Sequence, residues 1–147
     1  MNYLVTGAAG FIASQVCSQL LDQGEKVVGV DNLNDYYDVR LKEWRLQQLE
    51  NHPNAKNFDF EKLDIEKQES LKALFKNQGS FDSVLNLAAR AGVRYSIENP
   101  HVYLSTMRKA PSTFWNACVK TDVKSLYSLP PPPSMLGKRC RSRKTLR

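Results

Sequence analysis

An apolar run, Asn2–Thr6, breaks at once into Gly7-Ala8-Ala9-Gly10, and an apolar set at helical spacing follows directly: Phe11, Ile12, Val16, Leu20 and Leu21. No other feature constrains the chain so strongly. A short apolar run ending in glycines reads as a buried strand that turns sharply. The spaced set reads as a helix over residues 11–21, with Gly24 suited to stop it. The junction has the form Gly7-x-x-Gly10-x-x-Ala13. Gly7 allows a tight turn, Gly10 lets backbone approach a pyrophosphate, and a small residue at 13 lets the helix pack closely on its strand. The helix start then offers free N–H groups to an anion. A plain strand-to-helix turn that uses glycine for geometry alone is the competing reading.

The same alternation continues. Lys26–Asp31 is a second strand and Val39–Glu50 a helix, with Val39, Trp44, Leu46 and Leu49 as an imperfect apolar face and Pro53 beyond its end. Residues 57–64 form a third strand, 66–77 a helix carrying Leu71, Leu74 and Phe75 on one face, and 82–89 a fourth strand. A helix over 101–118, interrupted by Pro111, and a fifth strand over 123–128 complete the pattern. Strand and helix in turn, with short connections and right-handed crossovers, give a Rossmann-like, doubly wound α/β fold with a parallel sheet. At 147 residues the chain suits one domain. Residues 1–128 form its folded part, incomplete at the C-terminus, and 129–147 a proline-rich, then basic, disordered tail.

Charge excludes less than it suggests. The net charge is +6, but six of the 21 basic residues fall in the last ten positions, and the others equal the 15 acidic ones. A basic tail binds phosphates without selectivity; no aromatic residue follows Tyr127 to support a nucleic-acid interface. Cys17, Cys118 and Cys140 are too widely spaced for a disulfide framework or zinc finger, and no metal site is expected. No apolar run approaches a membrane span, and the apolar N-terminal segment, without a basic lead, is expected to be strand and helix rather than a secretion signal. A cytoplasmic location is the expectation.

Three further positions carry chemistry. Asp31 ends the second strand 24 residues after Gly7, where a carboxylate can accept both ribose hydroxyls of an adenosine and repel a 2′-phosphate. That favours NAD over NADP; a solvated loop acid is the alternative. Asp64, after the third strand, can accept an adenine amino group or cap the helix over 66–77. The small residues of Asn86-Leu87-Ala88-Ala89 leave room for a cofactor across the strand ends, or pack beneath a helix.

Thr6-Gly7-Ala8-Ala9-Gly10-Phe11-Ile12, the stretch Asp31-Asn32-Leu33-Asn34-Asp35-Tyr36-Tyr37-Asp38, and the stretch from Ala91-Gly92-Val93-Arg94 to Asn99-Pro100 together resemble the extended short-chain dehydrogenase/reductases. Within them the resemblance is to nucleotide-sugar epimerases, nearest the UDP-glucuronate 4-epimerases, and runs over about residues 1–106. Ala13 departs from the family's usual glycine by one methyl. The resemblance implies Gly7, Ala9, Gly10, Phe11 and Ile12 at the pyrophosphate of NAD, and Asp31 and Asn32 at the ribose. It implies Asp64 and Ile65 beside adenine, and Leu87, Ala88 and Ala89 along the cofactor cleft. Arg94 would approach the sugar-nucleotide, or serve as a surface salt-bridge residue. It further implies cytoplasmic polysaccharide biosynthesis, a nucleotide-sugar substrate and a homo-oligomer in the intact form.

The family reaction also needs a Tyr-x-x-x-Lys pair, in which the lysine lowers the tyrosine pKa and holds the ribose. None of the six tyrosines has lysine four residues on, and the preceding serine-rich segment is absent. No catalytic residue is therefore assigned. Residues 107–116, back-translated and shifted by one base, can yield Asn-Ala-Lys-Gly-Thr-Phe-Asn-Leu-Leu-Glu, and 128–135 likewise the serine segment. The expectation is an N-terminal epimerase piece in a frameshifted reading frame, inactive by itself and marginally soluble. A divergent tail is the alternative, and the gene's codons decide. A non-catalytic NAD-binding module and a 4,6-dehydratase relative are the rival functions.

Overall fold

The computed structural model of the chain describes residues 1–35, 37–89 and 123–128. Its elements are β1 (Asn2–Thr6), α1 (Phe11–Asp22), β2 (Lys26–Asp31), α2 (Val39–Glu50), β3 (Phe58–Lys62), α3 (Gln68–Gln78), β4 (Ser83–Asn86) and β5 (Ser125–Ser128), with a 3-10 turn at Ala55–Asn57 before β3. The helix expected over 101–118, the tail from 129, Arg94 and the rest of the 91–100 motif lie outside the described residues.

All strands run parallel in the order β3-β2-β1-β4-β5. The chain moves outward from β1 through β2 to β3, then returns to lay β4 on the other side of β1. In register, Thr6 lies beside Val30 on one side and Asn86 on the other. The point where strand order reverses is thus the carboxyl end of β1, where open α/β sheets leave a crevice.

Alternate residues of each strand serve opposite faces. Val5 and Val27 pack with Ala13, Cys17, Leu21 and Leu49 under α1 and α2. Leu4, Val28, Val30 and Val84 pack with Leu71, Leu74, Phe75 and Phe81 under α3. Phe75 and Phe81 meet edge to face, 5.3 Å between centroids. No helix among the described residues is long and apolar enough to cross a membrane.

Two sequence expectations change. The inner face of α2 is Lys42, Leu46 and Leu49; Trp44 points outward and is 57% exposed. Lys42 precedes Leu46 by four residues and so shares its stripe. β3 and β4 are also shorter than expected: Asn57 closes the 3-10 turn before β3, Asp82 precedes β4, and residues 63–64 and 87–89 pass into the carboxyl-edge loops.

Candidate functional site

The glycine turn is anchored on its neighbouring strand. Gly7 and Ala8 both donate their N–H to the Val30 carbonyl, at 2.8 and 3.1 Å, and Gly10 N–H donates to the Gly7 carbonyl at 2.7 Å. Gly7 has φ +71°, and a Cβ there would lie 2.9 Å from the Ala88 Cα. Only glycine meets both conditions. Ala88 is held against it because its N–H donates to Thr6 Oγ1 at 3.1 Å, while that hydroxyl donates to Asn86 Oδ1 at 2.7 Å. The ends of β1 and β4 are therefore tied by one buried threonine.

Gly10 is the N-cap of α1, in extended conformation, with no side-chain acceptor at the cap and no acidic residue in the first turn. The positive end of the helix thus keeps its field for an outside anion. Phe11 and Ile12 stand beside it, 72% and 64% exposed.

Asp31 is buried, not a solvated loop acid. Its Oδ1 accepts the Leu33 N–H at 2.8 Å, and Asn32 Oδ1 accepts the Asn34 N–H at 3.1 Å. These two turns curl the chain after β2 and put Leu33 at φ +51°, a region that side chains seldom occupy. The Asp31 carbonyl accepts the Leu63 N–H at 3.0 Å, joining the ends of β2 and β3. Asp64 does not cap α3, which starts after Lys67. Its Oδ1 accepts the Glu66 N–H at 2.9 Å and its carbonyl accepts the Lys67 N–H at 3.0 Å, so it closes a turn before the helix.

These segments surround a cavity of about 400 Å³ along the carboxyl edge of the sheet. Gly7, Gly10, Phe11 and Ile12 line it from the first turn, Asp31 and Asn32 from the second, Asp64 and Ile65 from the third, and Leu87, Ala88 and Ala89 from the fourth. Ala9 alone of the described candidates does not line it: it is fully buried behind the turn.

The same wall contains Asn34, Tyr37, Lys42 and Arg45, which the sequence reading did not single out. Arg45 donates to the Ala9 carbonyl at 3.3 Å and to the Tyr37 hydroxyl at 3.0 Å, and lies 5.9 Å from the Phe11 ring centroid. Lys42 Nζ donates to Asn34 Oδ1 at 2.8 Å and sits 3.6 Å from Asp31 Oδ1. One signal was present: a lysine on the buried stripe of an otherwise amphipathic helix needs an acidic or polar partner. The start of α2 is set by Asp38, whose side chain accepts the Arg40 N–H at 3.0 Å. The Arg40 guanidinium beside it holds the Asp38 carboxyl below its ordinary range.

A groove with this chemistry suits a long ligand, anionic in its middle and hydroxylated at one end. The apolar walls at Ile65 and Leu87 suit flat rings. Comparison with known proteins points the same way. The family model described as GDP-mannose 4,6 dehydratase matches residues 4–127. A UDP-glucuronate 4-epimerase of Thermodesulfobacterium geofontis is 52% identical over 104 residues, 71% of this chain and 31% of that protein. The chain thus spans about a third of the length of such curated relatives. Among solved structures, a Bacillus cereus UDP-glucuronic acid 4-epimerase variant, in complex with UDP-4-deoxy-4-fluoro-glucuronic acid and NAD, aligns with TM-score 0.73 at 32% identity, over 86% of this chain and 38% of that one. A Streptomyces venezuelae dTDP-glucose 4,6-dehydratase with NAD bound aligns with TM-score 0.72 at 26% identity, over 86% and 38%.

Proposed function

The chain belongs to the GDP-mannose 4,6-dehydratase family, the nucleotide-sugar epimerases and dehydratases of the short-chain dehydrogenase/reductases, and from that premise we propose that residues 1–128 are the NAD-binding part of a cytoplasmic UDP-sugar 4-epimerase. One observation carries the reading. The carboxyl-edge cavity has an uncapped helix start at the glycine turn and, across the same cavity, a buried carboxylate at the end of β2. That pairing suits a dinucleotide, with diphosphate on the helix and adenosine ribose on the acid.

The donor set fits the group. Phe11 and Ile12 would hold the diphosphate through backbone N–H groups, and Gly10, whose own N–H is taken by the Gly7 carbonyl, would let the backbone come close to it. Asp31 and Asn32 would hold the ribose, with Asp31 Oδ2 accepting no hydrogen bond from the described residues. Asp64 and Ile65 would bracket adenine, and Leu87, Ala88 and Ala89 would leave the nicotinamide half its path across β4. NAD bound there would take up a hydride from a sugar carbon and return it. Holding, orienting and shielding it from water are what these residues do. The proton transfer needs a base, and no tyrosine here has the lysine partner that the family's reaction requires. The proposal is therefore a chain that binds NAD and turns over no UDP-sugar alone. A frameshifted reading frame accounts for the missing tyrosine and lysine: β5 follows the first shifted stretch and ends at residue 128, where the second begins, and the family match runs on to residue 127.

Titration calorimetry of the 147-residue chain with NADH tests this. Saturable binding is expected, weakened about a hundredfold in Asp31→Ala by loss of a charge-assisted hydrogen-bond acceptor, equivalent to about 2.7 kcal/mol. A folded chain with no affinity for NADH overturns the reading.

A further inference from the structure

The cofactor reading above has no use for Lys42. A lysine on a buried helix stripe loses its hydration and is found there only with compensation. Lys42 is 4% exposed, and its ammonium lies against three groups: Asn34 Oδ1 at 2.8 Å, Asp31 Oδ1 at 3.6 Å and the Tyr37 ring at 5.0 Å from the centroid. It also lines the cavity, as does Arg45 one turn further along α2. Beside Asp31 the cavity wall therefore holds a cation within 4 Å of that carboxylate, with a second cation, Arg45, further along the same helix.

An acid at the end of β2 discriminates against NADPH because its charge repels the 2′-phosphate. Here that charge has a counter-ion within 4 Å. We propose that Lys42 is a specificity-determining residue: it sets how much repulsion from Asp31 a 2′-phosphate meets, and it is the cation that would receive that phosphate once the repulsion is removed. The inference rests on the NAD-binding reading. The α2 stripe thereby has a chemical role as well as a packing one. Asp31 excludes the extra phosphate, and Lys42 limits that exclusion.

The test is the ratio of NADPH to NADH dissociation constants, measured by titration calorimetry on the full chain. The wild type prefers NADH. Asp31→Asn reduces the preference by about tenfold or more, equivalent to about 1.4 kcal/mol. Asp31→Asn combined with Lys42→Met restores most of it. Lys42→Met alone strengthens the preference for NADH, because the carboxylate then faces the phosphate unopposed. Lys42→Arg keeps the wild-type ratio. Lys42→Gln retains a donor for Asn34 without the charge, and serves where the methionine variant fails to fold. A merely structural lysine would weaken both nucleotides by one factor and leave the ratio unchanged. An unchanged ratio in both Lys42→Met and Lys42→Gln overturns this inference while NADH binding by the wild type keeps the parent reading. Binding of neither nucleotide by the folded wild type overturns both.

Discussion

The amino edge of the sheet is closed by surface charge, and the carboxyl edge by buried polar groups and backbone. At the amino edge the chain terminus pairs with Glu25, and Asp82 accepts the Asn2 N–H at 2.8 Å while pairing with Lys124. At the carboxyl edge Thr6, Asp31, Lys42 and Asn86 are all buried, and backbone stands in the left-handed region at Gly7 and Leu33. Water screens the first set, so each contact there adds little and can be lost cheaply. The second set holds one shape because each group depends on another, which suits an edge that must present a cavity rather than only end a sheet.

The glycines on either side of this contrast give the sharpest way to break it. Gly7 at the carboxyl edge and Gly24 at the end of α1 have nearly equal φ, +71° and +76°. A Cβ at Gly24 meets nothing within 4 Å, whereas one at Gly7 meets the Ala88 backbone at 2.9 Å. Gly7→Ala is expected to cost about 3 kcal/mol or more in urea unfolding, the left-handed strain plus a backbone displacement. Gly24→Ala is expected to cost about 1 kcal/mol, the strain alone. Only the first should also weaken NADH. Equal losses would mean that the contact across β1 and β4 does not matter and that the two edges are alike.

Much of this was legible in the sequence because local rules and global fold agree. Strand and helix alternation gave the parallel sheet, and the glycine spacing with Asp31 located the carboxyl edge. What was not legible was cross-element. Trp44 reads as core by hydrophobicity, yet the helical phase set by Leu46 and Leu49 turns it outward and brings Lys42 in. Lys42 and Arg45 reach the cavity only because α2 packs beside the loop after β2, a tertiary relation with no sequence signature beyond a misplaced charge. Asp64 offered two roles at the end of β3. Its turn to Glu66 delays the helix until Gln68, so it does not become the cap that spacing suggested.

The smallest effect concerns the other edge. The hydrogen bond from Lys124, and then that from the Asn2 N–H, hold the Asp82 carboxyl below its ordinary range. The unfolded chain therefore takes up this proton first as pH falls. The stabilisation is complete above about pH 5, where the unfolded carboxyl is ionised, and fades as acidification passes through the lower folded value. Lys124 is 70% exposed on its side chain, so solvent screens the pair. Asp82→Asn should cost at most about 1 kcal/mol at pH 7. Its deficit against the wild type should shrink in urea titrations taken toward pH 3. NADH affinity should not change at any pH where both chains are folded, because Asp82 precedes β4 and the cavity follows it. A deficit that grew on acidification would mean that Asp82 is stabilised in its protonated form. A loss of NADH affinity would mean that the two edges communicate through β4, and that the buried Thr6–Asn86 tie does not insulate the cavity from the surface charges beneath it.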